Sequence, residues 1–229
     1  MHIEKSKSSL PRLLLLLTGG TITMVKNSSG VLVPSDGIHE ILNTFPLMKE
    51  IAEIDPRVVC DIDSANMSPD IWENLARLIE KNYAQYDGFV ITHGTDTLTY
   101  TACALSFALG GLNKPVILTG AQKPIFELGS DSPFNLFNSF KVASQRHIRE
   151  VAIVFDTKII RGNRSAKKHA KKIDAFWSPQ FQLLGEIGVD IRYFLHAKGR
   201  RCGGKIKLKA SFCPNIVSFN LFPGFPSLV

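Results

Sequence analysis

The sequence predicts an α/β fold, a mainly parallel sheet flanked by helices, and three observations carry that reading. Short apolar segments recur at residues 13–17, 58–62, 89–92, 116–118 and 151–155. Between them lie stretches whose apolar positions repeat at helical spacing. Two of the segments break abruptly into turns crowded with threonine and glycine, LLLLLTGGTIT at 13–23 and FVITHGTDTLTYT at 89–101. Runs that are apolar at every position suit strands covered on both faces, which is what βαβ crossovers produce. A strand ending in small hydroxyl-bearing residues puts polar atoms and backbone N–H groups just beyond the carboxyl edge of the sheet, where open α/β folds bind ligands. Two such edges imply one shared pocket.

Taken in order, the first segment follows Lys5, Lys7 and Arg12 in the manner of a secretory leader. Its five leucines fall short of the roughly 7 to 15 residues of a leader's apolar region, and no A-x-A-like site follows, so it reads as a buried first strand. A helix is expected over 38–43 and a second strand over 58–62. The next helix is well signalled: Ser68 can cap it, Pro69 suits the first helical position and Asp70 favours the dipole. Ile71, Leu75, Leu78 and Ile79 then give it one apolar face. Strands at 89–92, 116–118 and 151–155 alternate with helices at 98–109 and 133–145. Beyond Lys172 the pattern loosens through Ser178 and Pro179 into a Gly- and Lys-rich stretch around Gly203 and Gly204. A last apolar run, 216–222, is expected to be a strand.

Composition narrows the function classes. With 45% hydrophobic and 21% charged residues over 229 positions, the chain is of globular type. No purely apolar run exceeds five residues, against the roughly 20 of a membrane-spanning helix, so no membrane role is expected. Cys60, Cys103, Cys202 and Cys213 show no C-x-x-C spacing; they read as reduced, buried thiols of a cytoplasmic protein, with no zinc knuckle or disulfide framework. The net charge of +7 is concentrated in two acid-free runs, 158–172 and 198–209. Neither interleaves an aromatic side chain to stack a base and no recognition motif accompanies them, which argues against a nucleic-acid partner. A solvated surface or a site for a small anion remains.

The chemistry lies in the strand-end loops. Thr18-Gly19-Gly20-Thr21 is neither a dinucleotide fingerprint nor a P-loop; its glycines permit positive φ. In His93-Gly94-Thr95-Asp96-Thr97, the aspartate can orient a hydroxyl, bind an ammonium group or cap the following helix. A third element, RGNRSAKKHA at 161–170, offers Lys167 among basic neighbours. Cationic neighbours favour a neutral amine, able to take a proton from a hydroxyl, and a partner carboxylate does the reverse, so the sequence leaves the proton's place open. His93, Lys168 and His169 are alternatives for which surface or hydrogen-bonding roles are expected.

Together TGGTI (18–22), DSANM (63–67), ITHGTDTL (91–98), LTGAQKP (118–124), SDSPFNL (130–136) and RGNRSAKKHA resemble the bacterial-type L-asparaginases in order and spacing. The resemblance implies the asparaginase-type N-terminal domain over 1–195, with 196–229 as a linker and the first strand of a smaller C-terminal α/β domain that is otherwise missing. It implies an amidohydrolase that converts asparagine, or glutamine, to the acid and ammonia through a threonine nucleophile, in the cytoplasm and without a metal or organic cofactor. Thr21 matches the first catalytic threonine, and Thr95, Asp96 and Lys167 match a second threonine with its aspartate and lysine. Ser64, Ala65, Thr95 and Asp96 match the substrate-binding positions: Ser64 for the α-carboxylate, Asp96 for the α-ammonium. A hydroxyl needs a base or relay to become nucleophilic, and Gly-rich turns can supply backbone donors for the tetrahedral intermediate.

Three departures from the family accompany the resemblance. The segment 23–34, TMVKNSSGVLVP, lacks the family's loop tyrosine, and Val31 falls near its place. Ala65 stands where many relatives carry a side chain that meets the substrate's amino end. The chain reaches residue 229 as the C-terminal domain would begin; in the family, subunits pair and the partner's C-terminal domain closes each site, so a homo-oligomer is expected only of a complete fold. Two further readings share these residues. One is a catalytically impaired remnant that at most binds a small amino acid; the other is the asparaginase-like subunit of a tRNA-dependent amidotransferase, whose extra N-terminal domain has no counterpart here.

Overall fold

Five consecutive leucines leave a strand no polar face, so it is stable only with packing on both sides. In a computed structural model of the chain, which describes residues 10–26, 32–34, 38–195, 205–220 and 222–224, they occupy β1 (Arg12–Leu17), one strand in from the edge of an eight-stranded sheet. The other strands are β2 (Glu53–Val58), β3 (Gly88–Thr92), β4 (Val116–Thr119), β5 (Val151–Phe155), β6 (Lys158–Arg161), β7 (Gly185–Ile187) and β8 (Ile191–Tyr193). Their spatial order is β8-β7-β6-β5-β4-β3-β1-β2. The first five in sequence pair in parallel and the last three add antiparallel. Leu13 to Leu16 are 0% exposed, and each such leucine contributes about 2 kcal/mol of burial.

The helices are α1 (Ile38–Thr44), α2 (Leu47–Ile51), α3 (Pro69–Asn82), α4 (Leu98–Ala108) and α5 (Ser132–Gln145). Two buried clusters show which face each covers. Leu13, Leu15 and Val90 pack with Ile41 of α1, Met48 of α2 and Phe140 of α5. Leu14, Leu16 and Ile91 pack with Leu75 of α3 and Leu105 of α4. The connection β1 to β2 steps one way across the sheet over the first face; β2 to β3 and β3 to β4 step the other way over the second, so the three share one hand. The connection from β4 through α5 to β5 continues in that second direction but over the first face. It therefore has the opposite hand, against the strong right-handed preference of parallel crossovers.

The predicted parallel sheet with flanking helices is therefore the observed one, and of the five strands expected before residue 156 four lie where they were placed. The strand expected at 58–62 is the exception. The second strand is Glu53–Val58, EIDPRV, an edge strand half open to solvent in which Pro56 costs no interior ladder bond. Its charges hid it, while the apolar residues after it form a loop tied to β1, with the Val59 amide donating to the Leu17 carbonyl at 2.8 Å. Ser68 sits at the cap of α3, but no side-chain capping bond forms. The thiols are less buried than expected: Cys60 and Cys103 are half-buried, Cys213 is exposed, and Cys202 lies outside the described residues. No strand forms at 216–220 or at residue 222. Val31 also lies outside the described residues. Among those described, no helix is long and apolar enough to cross a membrane.

Candidate functional site

The order β2-β1-β3-β4 makes the gap between β1 and β3 the switch point of the sheet, since β1 is followed on one side by β2 and on the other by β3. Ligand crevices form at such points beyond the strand ends. Here three turns are pressed together. Gly20 has φ 88°, and a Cβ placed on it would fall 2.5 Å from the Gly94 nitrogen. A Cβ on Gly94 would fall 2.6 Å from Ser64 Oγ. Only glycine permits either approach. The turn bearing Thr21 thus abuts the turn bearing Thr95, which abuts the short helical turn Ser64–Asn66.

Each expected site residue takes a distinct position in this packing. Thr21 opens the one-turn helix Thr21–Thr23 after β1 and is half-buried. Ser64 is buried, and its backbone is held by Thr97 Oγ1, which donates to the Ser64 carbonyl at 2.7 Å. Ala65 is exposed, its amide donating to Asp63 Oδ1 at 2.9 Å. Asp96 and Thr97 therefore do not cap α4 through their side chains: Thr97 reaches Ser64 and Asp96 reaches Lys167. Lys167 Nζ donates to Thr95 Oγ1 at 2.8 Å and to Asp96 Oδ1 at 2.7 Å. The lysine side chain is 18% exposed and the aspartate 70%, so the pair lies at the mouth of the site with the ammonium on its inner side. An open cavity of about 510 Å³ adjoins it, bounded by Asp96, Tyr100, Cys103, Ser165 and Lys167.

Lys167 arrives on a separate arm. After β6 a one-turn helix, Gly162–Arg164, packs on α4, and Ala166–Lys167 then pairs antiparallel with Phe176–Trp177. Phe176 anchors the arm edge-on against Phe155 of β5 at 4.7 Å. Lys168 is exposed, its ammonium 5.3 Å over the Trp177 ring.

His93 is a hydrogen-bonding residue, but one wholly buried rather than on the surface. Its Nδ1 meets the Gly94 carbonyl at 2.8 Å and its Nε2 meets Thr101 Oγ1 at 2.7 Å. A carbonyl only accepts, so Nδ1 carries the proton and Nε2 accepts from Thr101, which in turn accepts from Trp72 Nε1 at 2.8 Å. Burial away from water pushes the imidazole pKa down to about 4. The ring stays neutral and fixes the Gly94 peptide.

Two residues that sequence reasoning passed over belong to the site. Gln122, in the LTGAQKP turn after β4, accepts from Thr95 Oγ1 at 3.3 Å. Asp131, buried at the start of α5, accepts from the backbone amides of Gln122 and Lys123 at 3.0 to 3.1 Å and so seats that turn. For Gln122 the signal was the one already used for Thr21 and Thr95, a polar residue just beyond an apolar strand; Asp131, at the head of α5, has no such signal. Among the described residues, no cluster of three or more His, Cys, Asp or Glu is placed to hold a metal ion.

The comparisons with known proteins agree with this geometry. A family model described as the N-terminal part of asparaginase matches residues 12–198. L-asparaginase 1 of Escherichia coli K12 is 43% identical over 182 residues, covering 76% of this chain and 53% of its own. The 60 kDa lysophospholipase of Mus musculus is 36% identical over 241 residues, covering 94% of this chain and 43% of its own. The solved structure of the thermostable L-asparaginase from Thermococcus kodakarensis superposes with a TM-score of 0.83 at 33% identity, covering 93% of this chain and 64% of that one. The chain thus spans about half the length of the curated relatives it matches. With the matched residues taking in all eight strands and the Thr95–Asp96–Lys167 constellation, this chain belongs to the asparaginase family.

Proposed function

We propose that residues 1–195 form the catalytic domain of an L-asparaginase, with 196–229 leading toward a smaller C-terminal α/β domain, and that the site hydrolyses the side-chain amide of L-asparagine. The observation that carries this is the position of Lys167 Nζ, within 2.8 Å of Thr95 Oγ1 and 2.7 Å of Asp96 Oδ1 across more than 70 residues of sequence. In the proposed reaction Thr21 Oγ1 attacks the amide carbon. Backbone N–H groups of the packed turns stabilise the oxyanion, ammonia leaves, and water releases aspartate from the acyl-enzyme. Thr95, Lys167 and Asp96 pass the proton that must leave the attacking oxygen and reach the departing nitrogen. Ser64 receives the substrate's α-carboxylate and Asp96 its α-ammonium, with Ala65 beside them. The chemistry calls for no metal or organic cofactor, and glutamine, one methylene longer, is the alternative substrate.

The activity is proposed to reside in the cytoplasm and in a homo-oligomer. The oligomer is supported by two aromatic side chains on the outer face of α4, Tyr100 and Phe107, each 66% exposed. The test of function is ammonia release from L-asparagine by the purified chain and by Thr21→Ala and Thr95→Ala. Activity that either variant abolishes supports the proposal. A folded wild-type chain that releases none at millimolar substrate, even in concentrated and associated form, refutes it; retained aspartate binding would then mark a non-catalytic amino-acid site.

A further inference from the structure

Gln122 does more in this site than touch Thr95. Its amide nitrogen donates to the Ala170 carbonyl at 3.1 Å and to the Lys172 carbonyl at 2.9 Å, both in the loop that joins the two strands of the Lys167 arm. Those two carbonyls settle which end of the amide is which, because a flipped side chain would set an oxygen against two acceptors. The other end, Oε1, is thereby directed at Thr95 Oγ1. While Lys167 Nζ donates to Thr95 Oγ1, and since an amide oxygen only accepts, the Thr95 hydroxyl has one arrangement: lone pair toward Lys167, proton toward Gln122. Asp131 holds the backbone from which the side chain springs, by the two amide bonds described above.

We infer that Gln122 is a positioning residue for the Thr95–Lys167 pair, its amide nitrogen fastening the arm that carries Lys167 and its oxygen setting the direction of the Thr95 hydroxyl. Its side chain joins the β4–α5 turn, the Thr95 turn and the lysine arm at once. Release of the arm lets the lysine drift from Thr95, and release of the hydroxyl lets its proton point elsewhere. The kinetic part of this inference rests on the amidohydrolase reading above; the tether does not.

Two variants separate the possibilities. Gln122→Met keeps the length and loses every polar contact. Peptide-level hydrogen exchange over residues 166–177, where the Lys168 and His169 amides donate to the Ala175 carbonyl, is expected to speed up about 10- to 100-fold, as for the loss of two ordinary hydrogen bonds. The rest of the sheet stays protected. Unchanged exchange in the arm overturns the inference whether or not the chain hydrolyses asparagine. In Gln122→Glu the ionised carboxylate faces two carbonyls, but the protonated acid regains one donor. Its arm protection and its kcat, each relative to wild type at the same pH, are expected to recover between pH 7.5 and pH 4.5; a pH-independent deficit overturns the tether. In the methionine variant kcat is expected to fall at least tenfold with KM within about threefold. A raised KM with kcat intact would instead make Gln122 a substrate contact. Wild type inactive on asparagine, yet with an arm loosened by Gln122→Met, would sink the proposed function and leave the tether standing.

Discussion

The close approach of the first and third turns is tested by one methyl group. In Gly20→Ala the new carbon would lie 2.5 Å from the Gly94 nitrogen and 2.7 Å from its Cα, distances that real Cβ atoms essentially never show below 3.0 Å. The obstacle is backbone, so no rotamer relieves it. The turns must separate by roughly 0.5 to 0.9 Å to reach tolerable contact. Gly20 also sits at φ 88°, ψ 167°, a region reserved almost wholly for glycine, where a side chain costs of order 1–3 kcal/mol. A displacement of about an ångström between reacting groups costs on the order of a hundredfold in rate. The expectation is a drop of about 100-fold in kcat/KM for asparagine, with urea-unfolding stability lowered by about 2–4 kcal/mol and an unchanged far-ultraviolet dichroism spectrum. Gly188→Ala is the control, because its Cβ would meet only the Asp190 oxygen at an ordinary 3.8 Å. Wild-type kinetics and stability in Gly20→Ala would mean that the two turns are not packed as described.

Other expectations follow from the same structure. His93, neutral and buried with its pKa lowered from 6.5 to about 4, resists a proton that the unfolded chain accepts. Stability is therefore complete above about pH 6.5 and declines as pH falls toward 4, by roughly 3 kcal/mol at 1.36 kcal/mol per pH unit; urea titrations should show that slope in wild type and its loss in His93→Gln. Lys167→Met should reduce asparagine hydrolysis by about 10³-fold or more while shifting the melting temperature by only a few degrees, since its partner carboxylate is largely solvated; comparable loss of fold and activity would deny it a catalytic part. Leu15→Ala, emptying a fully buried position at the centre of β1, should cost about 3–4 kcal/mol in denaturant unfolding.

What the sequence revealed and what it concealed both have physical causes. Strands β1, β3, β4 and β5 are buried on both faces, so their apolar runs stand out, and α3 announces itself through Pro69 and one apolar stripe. Strand β2 escaped because it lies at an edge, where Asp55, Arg57 and Pro56 are tolerated. Strands β6 to β8 are three or four residues long and carry too little periodicity to register. In the site, Thr21, Thr95 and Asp96 drew notice as polar residues on abrupt strand ends, Lys167 as an amine among basic neighbours, and Ser64 only through the resemblance to the asparaginases. Gln122 carries the same strand-end signal and was passed over, but its particular role depends on two backbone carbonyls some fifty positions away, which no local pattern records. The apolar stretch around Ile216 looked like a strand, yet β character needs a partner ladder as well as composition, and none of the described strands supplies one.

The reversed hand of the β4–α5–β5 connection bears directly on where a lysine can stand. A right-handed crossover would have laid α5 beside α4, over β4 and β5. That is the ground the chain now reuses when it returns from β6: Gly162 nestles against Ser106 and the Ala102 carbonyl of α4, and Phe176 settles on Phe155. By sending its helix to the far side, the fold keeps a berth open on the near side, and the segment moored there delivers an amine to a threonine that lies 72 residues earlier. With the usual hand, the berth would hold a helix and Thr95 would face solvent without its cation. The least common feature of the topology is thus the one that lets two distant stretches of sequence share a proton.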